Sequence, residues 1–321
     1  MDLIYMNSDK EDIGVLLNYE LDLAIGADEN DFECRIQQEA HCCDSGFYLY
    51  IEGTEYGGIV DNIESDTRNG EVAYSGRTWQ GILNSKVIEP DAGQDYLVLS
   101  GEANSVIASL ISRLGLSDLF EASDEDSGLT VRNYHMNRYI EGYYGINKML
   151  ASANGKLRFL YKNGKVILSA VGKVNYSAES EFDSSHVAFM LKKKYHTVNH
   201  LICLGSGELA ARMVVHLYAD AEGNISETQT QFGIDEYTSV YDYPNVESVE
   251  DLKNGGIEEL KSLWELSEIL IDFDDTSDFY NVGDIVGAID EITGVSVTAE
   301  ITKKIVTIKN GHATISYKVG E

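Results

Sequence analysis

The side chains of this 321-residue chain that could do chemistry are few and poorly spaced for it. His196 and His200 stand four apart, so a helix or a strand would set both imidazoles on one face, and His41-Cys42-Cys43 offers further soft donors. Zinc needs three or four converging nitrogen or sulfur ligands. No second His/Cys pair at such a spacing is present, so these groups read as ordinary buried or interfacial side chains, with no metal and no cofactor. Gly205-Ser206-Gly207-Glu208 resembles a phosphate cradle. It lacks the Gly-Lys-Ser/Thr ending of a P-loop and the third glycine of a dinucleotide fingerprint, and Leu204-Gly205-Ser206-Gly207 fails the Gly-x-Ser-x-Gly elbow. A turn between two strands accounts for it. Some carboxylate pair will sit at glycosidase distance in any fold of a chain with 54 acidic residues, so abundance identifies no acid–base couple. Asp124-Glu125-Asp126 and Asp272-Phe273-Asp274-Asp275 do not match a calcium-binding loop and read as solvated loops. Lys192-Lys193-Lys194, if on a strand, points to both faces and serves either an intersubunit salt-bridge edge or plain surface. The chain is expected to hold no catalytic, cofactor-binding or metal residues, and not to be an enzyme.

Charge narrows the partners. The formal net charge of −30 argues against a sequence-independent grip on phosphates, so stable nucleic-acid binding is not expected. The charge is uneven: −14 over 1–90, −5 over 91–150, +5 over 151–207 and −16 over 208–321. Two acidic ends flanking a basic middle suit charge-steered contact between copies or neighbouring subunits, although acidity also keeps a chain soluble. Met1-Asp2-Leu3-Ile4-Tyr5 has no charged leader region, and no apolar run approaches the roughly 18–20 residues of a membrane span. A soluble protein made in the cytoplasm, without a membrane span, is expected. Cys34, Cys42, Cys43 and Cys203 form no CxxC pair and read as reduced, partly buried thiols.

The elements that would position these residues are mostly strands. With 29 Gly, 2 Pro, 20 Tyr and many Val, Ile and Thr in short runs, the chain favours strands and tight turns. Residues 1–90 give five strand-like runs, among them Phe32–Ile36, Phe47–Ile51 and Glu71–Ser75, with Asn69-Gly70 marking a type I′ hairpin. After Pro90, Val106, Ile107, Leu110, Ile111 and Leu114 fall at helical spacing behind a cap near Asn104, ending at Gly115. A second short helix is expected around Ile146–Leu150. Leu157–Tyr161 and Val166–Ser169 follow, joined across Asn163-Gly164. Strand-like runs return at Val187–Lys194 and Val198–Leu204. Ala210–Tyr218 suits a helix by period and a strand by apolar density. Residues 247–266 read as a helix capped by Ser248, broken by Gly255-Gly256. The C-terminal segment is again strands, with Asn310-Gly311 joining the last two. The order strand, Asn-Gly turn, alternating strand thus occurs from Ile59 to Ser75 and again from Ile301 to Tyr317.

Three passages carry a family resemblance. Tyr74-Ser75-Gly76-Arg77-Thr78-Trp79-Gln80-Gly81-Ile82-Leu83, ending in Val87-Ile88-Glu89-Pro90, resembles the strand, Gly-Arg, helix passage that closes the first barrel of siphophage tail hub proteins, the Tal-like relatives of contractile-phage baseplate hubs. Asn199–Glu208 followed by Arg212 is similar to the same family, as is Tyr280–Gly287 continuing through Ile301-Thr302-Lys303-Lys304 to Ser316–Gly320. The resemblance implies an α+β, mainly β fold of two small antiparallel β-barrels plus a mixed α/β domain. Its domains would be a first barrel at 1–92, a mixed domain at 93–186 with 220–265, and a second barrel at 187–219 with 266–321. It implies a structural tail-tip or baseplate hub of a phage or prophage: a homotrimer that closes the tail tube, adapts sixfold to threefold symmetry and leaves a passage for DNA past an acidic lumen. The implied partners are further copies of itself, the distal tail, tail-tube and tape-measure proteins, and a tip fibre or lysin. The implied location is the virion tail, after synthesis in the host bacterial cytoplasm. The alternative from the many Tyr and carboxylates is a β-rich carbohydrate-binding or hydrolytic surface protein.

Overall fold

The computed structural model describes residues 2–177, 181–183, 189–192, 197–246, 248–264, 268–275, 280–289, 292, 296–309 and 311–320. Val187, Ala188, Lys193, Lys194, His196 and Asn310, all used in the sequence reading, lie outside the described residues. Strand takes 44% of residues and helix 19%, so the fold is α+β and mainly β, as the β-branched and aromatic runs require. The chain divides into two compact units, Met1–Met190 with Leu270–Val319, and Leu191–Ile269 with Gly320–Glu321.

The first unit is organised around a large, mostly antiparallel sheet. Its path runs from His312–Val319 through Ser296–Lys309, Glu20–Gly26, Asp31–Gln37 and Glu71–Arg77 to Asn62–Asp66. The period-two pattern of Glu20–Gly26 sets the register, because Leu21, Leu23 and Ile25 turn inward while Glu20 and Asp22 turn out. N-terminal and C-terminal segments therefore share one sheet, joined where Lys304 faces Ile25 and Val306 faces Leu23.

Turn chemistry differs among the three Asn-Gly sites. Asn163-Gly164 closes a two-residue hairpin between Lys162 and Lys165, and both residues adopt positive φ (53° and 77°), as a type I′ turn demands. At Asn69-Gly70 the expected type I′ turn is replaced by a four-residue loop. Asp66 pairs with Glu71, only Gly70 takes positive φ (67°), and the Asp66 carboxylate accepts from the Arg68 amide and the Asn69 side chain. The Asp66 side chain stabilises the longer loop by supplying the acceptors a tight turn would have made redundant. Gly311 has φ 78° between the paired Lys309 and His312.

Three helices of this unit share one core with the Gly155–Lys162 and Lys165–Gly172 hairpin: α1 (Trp79–Asn84), α2 (Ala103–Arg113) and α3 (Gly142–Ala151). Helix α2 is the one expected from Val106, Ile107, Leu110 and Ile111, all buried, and Gly115 follows it at φ 69°. Its cap is Glu102 rather than Asn104. The Glu102 carboxylate accepts from the amides of Asn104 and Ser105, and also from the amide and hydroxyl of Ser127. Those four donors hold its carboxyl down to about 2 despite the opposing effect of burial. Asn104 is instead buried and ties two segments together, donating to the Glu125 carbonyl and accepting from the Ala170 amide.

The second unit is a four-stranded sheet with one helix on it. Strand order is Ile225–Ser226, Val214–Ala219, His200–Leu204 and Thr238–Asp242, the last pair running parallel. Val214–Ala219 is thus a strand, which settles the choice left open by its period. Helix α4 (Val249–Trp264) buries Leu252 and Leu260 against Leu201, Cys203 and Leu217. It runs unbroken through Gly255-Gly256, contrary to the expected break. A Cβ on Gly256 would collide with the Cys203 sulfur, so the glycine exists to let helix and sheet approach. Residues 198–219 thus share a sheet and core with 225–264, segments that the sequence division placed in different domains.

Candidate functional site

The residues singled out from the sequence take structural positions. His41 Nδ1 lies 2.8 Å from the Tyr74 hydroxyl, which also accepts from the amides of Cys42 and Cys43 at 3.0 and 3.3 Å. That hydroxyl pins the loop to the sheet. Cys34, Cys43 and Cys203 are buried, Cys42 is half-buried, and all four are free thiols. Burial pushes Cys34 up to about 12 and Cys203 up to about 11, so neither offers a thiolate. Gly205-Ser206-Gly207 forms the loop between strands His200–Leu204 and Val214–Ala219. Gly207 takes φ 101°, and the Ser206 amide and carbonyl bind the Val246 carbonyl and the Met213 amide. The Gly205 and Ser206 amides are thereby used internally and are not turned toward a phosphate.

His200 sits in a polar cluster on the face of the second unit's sheet opposite α4. Its Nδ1 is 2.6 Å from a Glu236 carboxylate oxygen, its Nε2 is 2.8 Å from His216 Nδ1, and the Tyr218 ring stacks on it at 4.4 Å. The register explains the grouping: His200 lies opposite Tyr218 on one neighbour and Thr238 on the other. Carboxylate, imidazole and second imidazole form a hydrogen-bonded chain. The Thr238 hydroxyl also adjoins it, 3.2 Å from His200 Nδ1, and among the described residues no set of three His, Cys, Asp or Glu converges as a metal site.

Sequence reasoning missed the buried ionic junction of the first unit. Lys156 donates to Asp284 at 2.5 Å, and Lys304 donates to Glu55 at 2.6 Å, with Gln80 adding a bond to the second Glu55 oxygen. Asp284 also accepts from the amides of Val174 and Asn281. Burial lowers the Lys156 ammonium from its ordinary value, with Lys304 adding to the fall and Asp284 opposing it. The only available signal was a lysine at an inward strand position, as in Ile301-Thr302-Lys303-Lys304-Ile305. This junction joins 55, 156, 284 and 304, so its role is to lock distant segments together.

Two of the surface grooves of the first unit bear on function. One, of about 720 Å³, is lined by Thr130, Arg132, Asn133, Tyr134, His135 and Ser152 among others, with no carboxylate in its lining. The paired carboxylates of a hydrolase are therefore not found in this tyrosine-bearing groove. The other, of about 400 Å³, is lined by Asp22, Glu29, Asp31 and Glu33 over Ala24, Phe32 and Ile305. Asp22 and Glu33 face each other in register on adjacent strands. Burial raises the Asp31 carboxyl, with Glu29 and Asp22 adding to the rise and Lys303 opposing it.

No protein-family model matches the sequence, and no curated protein matches it. Solved structures do match its fold over the full length. The 43 kDa tail protein of prophage MuSo2 from Shewanella oneidensis superposes with a TM-score of 0.58 at 12% identity, covering 100% of this chain and 98% of that one. The fold is that of prophage tail proteins. The tail protein from Neisseria meningitidis MC58 gives a TM-score of 0.54 at 11% identity, with 100% and 96% coverage. The prophage tail protein gp18 from Listeria monocytogenes EGD-e gives 0.51 at 10% identity, with 99% and 94% coverage. The tail-protein fold puts the Tyr74–Leu83 passage where the sequence resemblance required it: strand Glu71–Arg77, then Thr78, whose hydroxyl accepts from the Gly81 amide to cap α1. Arg77 closes the passage with paired bonds of 2.8 Å to both Asp61 carboxylate oxygens.

Proposed function

We propose that this chain is a structural component of a phage or prophage tail, a hub at the tail tip or baseplate that works as a homotrimer rather than as an enzyme. The observation that carries the reading is the fold's full-length likeness to three tail proteins, two of them from prophages. Its place is the virion tail, and its neighbours are the distal tail, tube and tape-measure proteins. Internal duplication would let three chains present six near-equivalent β modules to a sixfold tube. The sheet supports that duplication. Hairpin Asn62–Asp66/Glu71–Arg77 and hairpin Ser296–Lys309/His312–Val319 flank the central pair Glu20–Gly26 and Asp31–Gln37 on opposite sides. A net charge of −30 supports a DNA passage, since like charge disfavours adhesion of the exiting strand.

The test is to delete the gene in its phage and image the particles. Tails lacking their tip, with the protein restored to that position by complementation and labelled there, are expected. Tails of ordinary length and tip structure without it would defeat the assignment. Mass measurement of the protein recovered from tails under native conditions tests the trimer.

A further inference from the structure

The chain is acidic nearly everywhere except one stretch. Residues 127–173 hold eight basic side chains and a single acidic one, Glu141. Two of the eight are drawn into ion pairs, Lys156 with Asp284 and Lys173 with Glu300. Arg132, Arg138 and Lys148 are exposed and form no ion pair among the described residues.

These three cations sit among tyrosines. Lys148 lies over the Tyr144 ring on α3, and Arg138 lies over the Tyr139 ring in the turn after strand Thr130–Met136. Tyr96 stacks on His135 at 5.6 Å, and Arg132, Tyr134 and His135 line the adjoining groove. Tyr96, Tyr139 and Tyr144 are 50%, 61% and 49% exposed. Tyr139 also holds a positive φ of 53°, a conformation that costs a bulky residue energy and here projects its ring outward. Tyrosine and arginine are the residue types that carry binding energy at protein interfaces.

The complement of this surface is on the same chain. The acidic groove puts Asp22 directly across from Glu33, a like-charge pair across the strands; Arg35 pairs with Glu33 and Lys303 with Glu29, which leaves Asp22 and Asp31 without an ion-pair partner among the described residues. Ala24 and Ile305 give it an apolar floor. We infer that the Arg132, Arg138 and Lys148 surface of one copy docks into the Asp22, Asp31 and Glu33 groove of a second copy. Two different surfaces can dock head-to-tail, an arrangement that propagates from copy to copy and closes into a ring where its rotation permits. This inference rests on the assembly reading above and names the surfaces that reading would use.

The test is sedimentation velocity on the purified full chain with two charge-reversed variants. One carries Arg132→Glu, Arg138→Glu and Lys148→Glu; the other carries Asp22→Lys and Asp31→Lys. All five side chains are surface groups, and circular dichroism of each variant establishes that it folds. The wild type is expected to self-associate. That association should weaken between about 0.1 M salt, where the screening length is about 10 Å, and about 1 M, where it is about 3 Å. Each variant alone should associate at least about tenfold more weakly, because both of its surfaces then carry one sign. An equimolar mixture of the two should recover association as alternating pairs, since each supplies the sign the other has lost, whereas a ring of three built from them keeps one like-signed contact and stays open. A wild type that stays monomeric at every concentration, variants that associate like wild type, or a mixture that fails to recover would each overturn the inference. The second result would leave the tail-hub reading intact, because association would simply use another surface. Wild-type binding on a glycan array, lost with Tyr96→Ala and Tyr144→Ala, would assign the surface to a sugar and also overturn it.

Discussion

The Lys156 ammonium donates to the Asp284 carboxylate, 128 residues further along the chain, and neither side chain is more than 6% exposed. One belongs to the Gly155–Lys162 hairpin strand and the other to the turn before Ile285–Ile289, so a single pair ties two distant parts of the first unit.

Removing one partner strands the other charge out of water. Asp284→Ala is expected to cost about 3–5 kcal/mol in urea unfolding. Lys156→Met combined with Asp284→Asn should recover more than half of that loss, because the buried charge is gone and the amide oxygen still accepts from Val174 or Asn281. A double variant as unstable as Asp284→Ala would show that the pair's worth lies in packing.

Glu102 gives the first unit an acid-sensitive cap. Its carboxyl titrates at about 2 in the folded chain against an ordinary 4.5, so the unfolded state binds the proton first as pH falls. The stabilisation is complete above about pH 4.5 and is lost progressively as pH drops toward 2. At pH 7, Glu102→Gln should cost about 1 kcal/mol, the usual worth of a helix cap. The gap to wild type should narrow between pH 4.5 and 3. A gap independent of pH would mean that the carboxylate charge contributes nothing.

The adjacent glycines of α4 should respond oppositely to alanine. Gly255→Ala meets only the end of the Tyr241 side chain, 3.1 Å away, and should gain up to about 1 kcal/mol from helix propensity. Gly256→Ala drives a methyl into Cys203 and Leu217 and should lose about 1–3 kcal/mol by overpacking. Thermal melts of the two variants decide it, and equal shifts would refute the close approach of helix and sheet.

Thiol reactivity should single out Cys42. Cys34, Cys43 and Cys203 are buried, with their thiols raised by that burial, whereas Cys42 is half-buried. A mild aromatic disulfide reagent at pH 8 should modify one cysteine quickly and three only on unfolding. Peptide mapping that finds Cys203 labelled first would contradict the covering of its sheet by α4.

Much of the local structure was legible. Helix α2 followed from the spacing of Val106, Ile107, Leu110 and Ile111, and the Asn163-Gly164 hairpin followed from two residues that tolerate positive φ. Where a second local acceptor competed, the reading slipped: Asp66 lengthened the Asn69-Gly70 turn, and Glu102 took the cap expected of Asn104. Glycines were ambiguous for a related reason. Gly255-Gly256 has the composition of a helix break, and only the presence of Cys203 beneath it reveals a packing contact.

By itself the sequence determined the mainly β class, the absence of recognised catalytic motifs, the strong acidity and the order of strands and turns, because those properties depend on residues a few positions apart. Tertiary structure decided which strands pair. It brought Ser296–Lys309 beside Glu20–Gly26, placed His200 between Glu236 and His216, and buried Lys156 and Lys304 on carboxylates 128 and 249 residues away. Pairings at that separation follow from which apolar faces must be covered together, and a charge comes to be buried only after its partner has been carried to the same place.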